Sequence, residues 1–312
     1  MAAWRINLHY PWWMRAPPPR PEPRLAMLRT LEAALLARGD VSLSGSAAAC
    51  RPRAFPDEAV STLNFHTVWT GPRNLHFKEA YLPGYFTFDP AGHSGWSANA
   101  GLRFDPASHD RAEAAAYFDR AVVRRFLVPQ VSKYAQPARR AKIPRGGIFV
   151  ALQVPRDKVL TLAHLDTRAM LEGCLARAPR EPVVIKLHPR SRDPDFEAGI
   201  RALHDPAANV HVLDEPIDAL IDAARVTVCI NSGVGFEAQL RGGAVITCGA
   251  SDYGALTWRP TTPAELAVAL QRAEPPDPDL MCRHATWLLR DVFVDDTAPG
   301  WTDKVLNRLR RR

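Results

Sequence analysis

Val226-Thr227-Val228-Cys229-Ile230-Asn231-Ser232-Gly233-Val234-Gly235-Phe236-Glu237-Ala238 passes from an apolar run through small residues into a second apolar spacing. Five apolar or β-branched residues without strict alternation suit a strand buried on both faces. Small residues then mark a tight turn, and the apolar spacing from Val234 to Arg241 predicts a helix. A buried strand, a small-residue turn and a helix form the repeating step of a parallel α/β sheet.

Working outward, the same step recurs. Ile148-Phe149-Val150-Ala151-Leu152, Pro182 to Leu187, Val210 to Leu213 and Ala244 to Thr247 are short apolar runs, and Leu165 to Ala178, Phe196 to His204 and Ile217 to Ala224 have helical spacing. Strands alternating with helices predict a parallel sheet covered on both faces. The first half is less regular. Trp4 to Tyr10 reads as an opening strand, followed by a proline-rich loop (17–23) and a helix from Leu25 to Arg38. Residues 40–110 mix short apolar runs with Gly and Pro, a helix is predicted from His109 to about Phe126, and Lys133 to Arg145 reads as an interdomain linker.

In open α/β sheets ligands bind beyond the carboxyl ends of the strands, so the loops after the strands are where chemistry is sought. After 182–187 come Lys186, His188, Pro189 and Arg190, a His held by a proline between two cations, suited to a phosphate or to a plain His-Pro turn. After 226–230 come Asn231, Ser232, Gly233, Gly235 and Glu237, where a helix N-terminus and a hydroxyl favour an anion and Glu237 can accept hydrogen bonds or complement the dipole. The glycines do not follow GxGxxG, so no dinucleotide site is signalled. After 148–152 come Gln153 and Asp157. Three polar loops converging on one sheet edge point to a binding site more than three separate surface loops do.

The chain has 312 residues, 40 Lys+Arg against 33 Asp+Glu and 46% hydrophobic residues, which fits an ordinary globular protein and excludes a disordered chain. Such a length suggests about two domains. Of the cations, 34 are Arg, and apart from Arg308, Arg310, Arg311 and Arg312 they read as dispersed among acids, so the net charge of +7 is weak support for nucleic-acid binding. Five cysteines (Cys50, Cys174, Cys229, Cys248, Cys282) without a CxxC pair argue against a disulfide framework or structural zinc. No basic segment followed by an apolar one opens the chain, and no run reaches the ~18 apolar residues that span a bilayer. A cytoplasmic protein is expected, with peripheral contact at the inner-membrane face through the arginine tail as an expectation of its own.

Gln153-x-x-x-Asp157, Lys186-x-His188-Pro189, Asn231-Ser232-x-x-Gly235-x-Glu237-Ala238 and Gly249-x-x-x-Tyr253-Gly254, in this order, resemble the bacterial capsule polysaccharide biosynthesis family that includes the Kdo transferases. Lys78 to Gly84 leading to Asp89-Pro90-x-Gly92-His93 is similar to that family's acidic segment. The resemblance implies an α/β, GT-B-like fold: an N-terminal, acceptor-side Rossmann-like domain over 1–140 and a C-terminal nucleotide-sugar-binding one over 141–278, facing a cleft, with C-terminal helices (279–312) crossing back. It implies a glycosyltransferase of surface-polysaccharide synthesis and export that uses a CMP-activated sugar, Kdo most often, as substrate, with no cofactor and no metal. His188 and Ser232 would take the donor phosphate and cytidine, with Gln153, Lys186, Pro189, Arg190, Asn231, Gly233, Gly235 and Glu237 around them.

Chemistry at an anomeric carbon needs a carboxylate as nucleophile or base, and Glu79 and Asp89, then Asp157, are the candidates. The partners implied are a nucleotide-sugar and a glycan or glycolipid acceptor, with other capsule-synthesis proteins beside them and no nucleic acid. Two other readings stand beside this one: a GT-B enzyme using a UDP- or GDP-sugar, and a non-catalytic glycan-binding or assembly protein. Where the family carries an acidic pair before glycine this chain has Lys78-Glu79-Ala80, and Gln239 stands where an apolar residue is expected after Glu-Ala.

Overall fold

A computed structural model describes residues 4–10, 23–38, 41–46, 60–68, 71, 73–101, 104–139 and 141–310. The elements, in chain order, are β1 (Trp4–His9), α1 (Pro23–Leu36), β2 (Val41–Ser46), β3 (Val60–Phe65), β4 (Asn74–Glu79), β5 (Tyr85–Asp89), α2 (Arg111–Phe118), β6 (Ile148–Ala151), α3 (Thr167–Leu175) and β7 (Val183–Lys186). They continue with α4 (Pro194–Arg201), β8 (Val210–Val212), α5 (Ile217–Ala223), β9 (Val226–Cys229), α6 (Gly233–Leu240), β10 (Ala244–Thr247), α7 (Pro263–Arg272), α8 (Pro278–Thr286), β11 (Val294–Asp295) and α9 (Trp301–Arg310). Two compact units emerge, one of Met1–Leu102 with Leu288–Arg312, the other of Arg103–Trp287. The proline-rich loop up to residue 22, Cys50, Arg311 and Arg312 lie outside the described residues.

The first unit is a six-stranded sheet in the order β11-β5-β4-β3-β1-β2. Strands β2, β1, β3 and β4 run parallel, while β5 is antiparallel to β4 and to β11. One face is apolar: Ile6, Leu8, Leu63, Phe65, Leu75, Phe77, Phe86 and Phe88 pack with Leu31 and Leu35 of α1 and with Val305, Leu306 and Leu309 of α9. The opposite face is polar and buried. In register across the strands lie Asn7, Thr62 and Asn74, then His9, Asn64 and His76, and the Asn74 amide nitrogen meets His76 Nε2 at 2.7 Å.

The second unit is an all-parallel sheet in the order β10-β9-β6-β7-β8. The chain builds β6, β7 and β8 outward on one side, then returns to add β9 and β10 on the other, so the order reverses between β6 and β9. In sheets of this kind ligands bind where the order reverses, here at the carboxyl ends of those two strands. The core is layered, with Val150, Ile185, Val228 and Ile246 facing α3 and α7, and Phe149, Val184, Cys229 and Val245 facing α5 and α6. Caps fix the helix starts: Asp166, Asp193, Ser232 and Asp277 each accept a backbone N–H from the first turn. The expected GT-B-like class, two Rossmann-like α/β units, holds.

The division of the chain differs from the one expected at residue 140. Residues 104–139 pack with the second unit because α2 has an apolar face to bury there: Ala114 and Phe118 are enclosed, Thr286 Oγ1 donates to Ala114 O, and Phe104 packs edge-on to His284 at 5.1 Å. The predicted helix from His109 to Phe126 is α2 running into a π-helical segment, Asp119–Leu127. At the other end of the chain, β11 pairs with β5 and α9 buries Trp301, so 288–310 are an integral layer of the first unit.

Arg308, expected as part of a membrane-seeking tail, points inward. Its guanidinium donates to Phe88 O at 3.1 Å and Asp291 O at 2.8 Å, and burial lowers its pKa to about 10. Arg310 stacks over Trp4, 5.0 Å from the ring centre. No helix of the described residues is long and apolar enough to cross a membrane.

Candidate functional site

At the reversal between β6 and β9 two side-chain amides lock together. Asn231 N–H donates to Gln153 Oε1 at 3.0 Å, Gln153 Nε2 donates to Asn231 Oδ1 at 2.8 Å, and Asn231 Nδ2 donates to Val159 O at 2.8 Å. Every polar atom of the buried Asn231 amide is thereby used, and the two loops are held in one geometry.

Beside them Ser232 caps α6, its Oγ accepting from Val234 N–H at 3.3 Å, which leaves the hydroxyl hydrogen free to donate. Gly233 opens α6. Gly235 is required by space: a Cβ there would stand 2.5 Å from the Tyr253 hydroxyl and 3.0 Å from Cys229 Sγ. The fully buried Tyr253 donates to Ser232 O, and Gln239 Nε2 donates to Tyr253 O at 3.5 Å. Gln239, a polar residue where an apolar one is expected, is therefore a support for the loop behind the turn.

The β7 loop carries the ring of His188. Arg190 N–H donates to His188 Nδ1 at 3.0 Å, and the turn is closed by Ser191 N–H on His188 O at 2.9 Å, across Pro189. Burial, then the Arg190 charge, lower the His188 pKa below its ordinary value. The ring is thus neutral near pH 7 with Nδ1 occupied as an acceptor, so the proton sits on Nε2, a donor. Asp157 opposes this shift by its charge. Its carboxylate accepts Val159 N–H at 3.2 Å and caps the turn Lys158–Leu162.

Lys186, expected beside the phosphate, is drawn elsewhere. Its buried ammonium donates to Asp214 Oδ1 at 2.9 Å and Glu215 O at 2.8 Å, tying β7 to the loop before α5. Glu237 is half-buried, and desolvation pushes its carboxyl up to about 7 against the hydroxyl of Ser132, which donates to Oε1 at 3.2 Å. The other two acidic candidates belong to the first unit. Asp89 accepts from the N–H groups of Ala91, Gly92 and Ala98, the Ser97 hydroxyl and the Asn99 amide, all within 2.8 to 3.1 Å. Five donors on a buried carboxylate organise the loop 90–99. Glu79, half-buried at the end of β4, sits opposite Phe86.

The second unit therefore brings together Gln153, Asp157, His188, Pro189, Arg190, Asn231, Ser232, Gly233, Gly235 and Glu237 along one sheet edge. The segment 132–136, read as linker from Lys133 onward, supplies Ser132, Tyr134 and Gln136 to the same edge. Tyr134 packs edge-on to His188, 5.2 Å between centres, and the Arg190 guanidinium lies 4.6 Å over the Tyr134 ring. The signal available was Ser132, Tyr134 and Gln136 at alternate positions, the spacing that places side chains on one side of an extended chain.

This frame has relatives. A family model described as capsule polysaccharide biosynthesis protein matches residues 106–291. The chain belongs to that family. The matched span covers the segment before β6 together with the whole second sheet. Among curated relatives, protein FixF of Sinorhizobium fredii (strain NBRC 101917 / NGR234) is 30% identical over 196 residues, covering 59% of this chain and 44% of its own length. This chain thus spans less than half of that relative.

Two solved structures from Thermosulfurimonas dismutans KpsC are similar in fold to this capsule-family protein. The beta Kdo 2,4 transferase has a TM-score of 0.56 at 16% identity over 91% of each chain, and the beta Kdo 2,7 transferase 0.54 at 12% identity over 97% of this chain and 99% of its own.

Proposed function

We propose that this capsule-family protein is a glycosyltransferase whose second unit binds an anionic nucleotide-sugar and whose first unit contributes the acceptor side. The observation that carries the reading is the pairing of a neutral His188, offering Nε2–H, with the hydroxyl and helix start at Ser232 on one edge of a parallel sheet. Both are donors for a phosphate, and the positive end of α6 adds to them. Glu237, near half-protonation at neutral pH, suits hydrogen bonding to sugar hydroxyls. Family membership supports a donor of the CMP-Kdo type and a glycan or glycolipid acceptor, and work at the cytoplasmic face belongs to the same proposal.

Lys186 is a structural tie in this reading. Glu79, at the end of β4, is the acidic candidate put forward as the group that takes the acceptor proton or attacks the anomeric carbon, while Asp89 organises its own loop and Asp157 caps its turn.

Calorimetric titration of the full chain with CMP, UDP and GDP tests the donor. Binding of CMP in preference to the others, weakened about tenfold or more in His188→Ala as one charge-assisted hydrogen bond is lost, is the expected result. Preference for UDP or GDP would move the assignment to that donor class, and equal CMP affinity in the variant would remove His188 from the site.

A further inference from the structure

The segment between the π-helical turn and β6 crosses the carboxyl edge of the second sheet as a strap. Ser132 is held on Glu237 of α6 at 3.2 Å. Two residues on, Tyr134 meets the β7 loop; two further, Gln136 Oε1 accepts from Ile217 N–H at 3.0 Å, capping α5 where Pro216 offers no side-chain cap. At its end Ala141 N–H donates to Glu215 Oε1 at 2.8 Å. Tyr134 is thus pinned on both sides within two residues. A ring so fixed is a wall, which His188 meets edge-on and Arg190 face-on.

We propose that Tyr134 is a positioning residue for His188, holding the imidazole in the plane and tautomer that offer Nε2–H to the donor phosphate. Two contacts share the work. The Tyr134 ring fixes the imidazole by an edge-to-face contact, and it seats the Arg190 guanidinium by a cation–π contact. A seated Arg190 keeps its own N–H on Nδ1, which excludes the other tautomer, and its charge disfavours the imidazolium. The role rests on the donor reading for its ligand, while the geometry it imposes on His188 is independent of any ligand.

The test uses the full chain as wild type, Tyr134→Phe, Tyr134→Leu and Tyr134→Ala. The His188 ring is followed by NMR titration, its resonance assigned by loss in His188→Gln, and CMP and cytidine affinities are measured beside it. Tyr134→Phe keeps the ring and should match wild type in both. Tyr134→Leu and Tyr134→Ala should raise the His188 pKa toward 6.5 and weaken CMP by about tenfold while cytidine changes by less than about twofold, since only the phosphate contact is disturbed. A wild-type His188 pKa and CMP affinity in both Tyr134→Leu and Tyr134→Ala would overturn the proposal. Should wild type fail to bind CMP, the donor reading falls, and the pKa series alone decides: a shift in the Leu and Ala variants with none in Phe sustains the positioning role, and no shift overturns it.

Discussion

At single residues the site is decided by space and by charge. Gly235 has no room for a methyl group between the Tyr253 hydroxyl and Cys229 Sγ. Because Tyr253 is fully buried and bonded to Ser232, Gly235→Ala should displace the loop behind the donor turn and lower stability by about 1–3 kcal/mol, the range for overpacking. An unchanged urea midpoint would contradict this. Glu237 makes a pH prediction. Its folded pKa of about 7 lies above the ordinary 4.5, so the native state holds its proton more tightly than the unfolded state and stability falls as pH rises from 4.5 through 7. Glu237→Gln keeps an acceptor for Ser132 and removes the ionisation, so its melting temperature should exceed wild type at pH 8 and match it at pH 5. The polar loop residues were legible because they follow strands; Tyr134 was not, because proximity to His188 arises from the path of a strap whose local sequence reads as linker.

At the scale of elements, the second sheet was readable almost strand by strand, since each buried strand is a compact apolar run bounded by polar turns. The first was not. Its strands put Asn7, His9, Thr62, Asn64, Asn74 and His76 on a buried face, so neither a continuous apolar run nor an apolar face turned from solvent-exposed polar residues marks them. The same mixing made Asp89 look catalytic. Its five donors argue that Asp89→Asn, which offers one acceptor oxygen and sets its amide hydrogens against other donors, should cost about 2–4 kcal/mol through the unpaired groups of loop 90–99. Glu79→Gln, at a partly exposed position, should cost less stability than Asp89→Asn and reduce transfer. Denaturation midpoints set beside product formation separate the two, and the reverse pattern would exchange their roles. Arg308→Ala strips two carbonyls of their donor and should destabilise the first unit, seen as a lower midpoint with CMP affinity retained.

The whole chain distributes both its units and its charge unevenly. One unit is continuous in sequence, Arg103–Trp287, while the other needs both ends of the chain, Met1–Leu102 and Leu288–Arg312. Charge follows the continuous unit: from Arg120 to Arg156 there are nine cations, at 120, 124, 125, 133, 139, 140, 142, 145 and 156, and no Asp or Glu. This concentration, hidden in a net charge of +7, spans the strap and the strand that precedes Gln153. An anion arriving at the second sheet passes this cation-rich segment, whose pull on association, set against Asp157, Glu215 and Glu237 at the same edge, is screened by salt over a Debye length of about 8 Å at physiological ionic strength. Residues 103–287 expressed alone should therefore unfold cooperatively and bind CMP with the affinity of the full chain, and that affinity should fall as salt is raised. Residues 1–102 alone should lack a cooperative transition, because β11 and α9, with Val294, Trp301, Val305, Leu306 and Leu309 of the core, are missing. A fragment 1–102 that melts cooperatively, or a fragment 103–287 that does not, would show that the division of the core is other than the packing of α2 on α8 and of α9 on the first sheet implies.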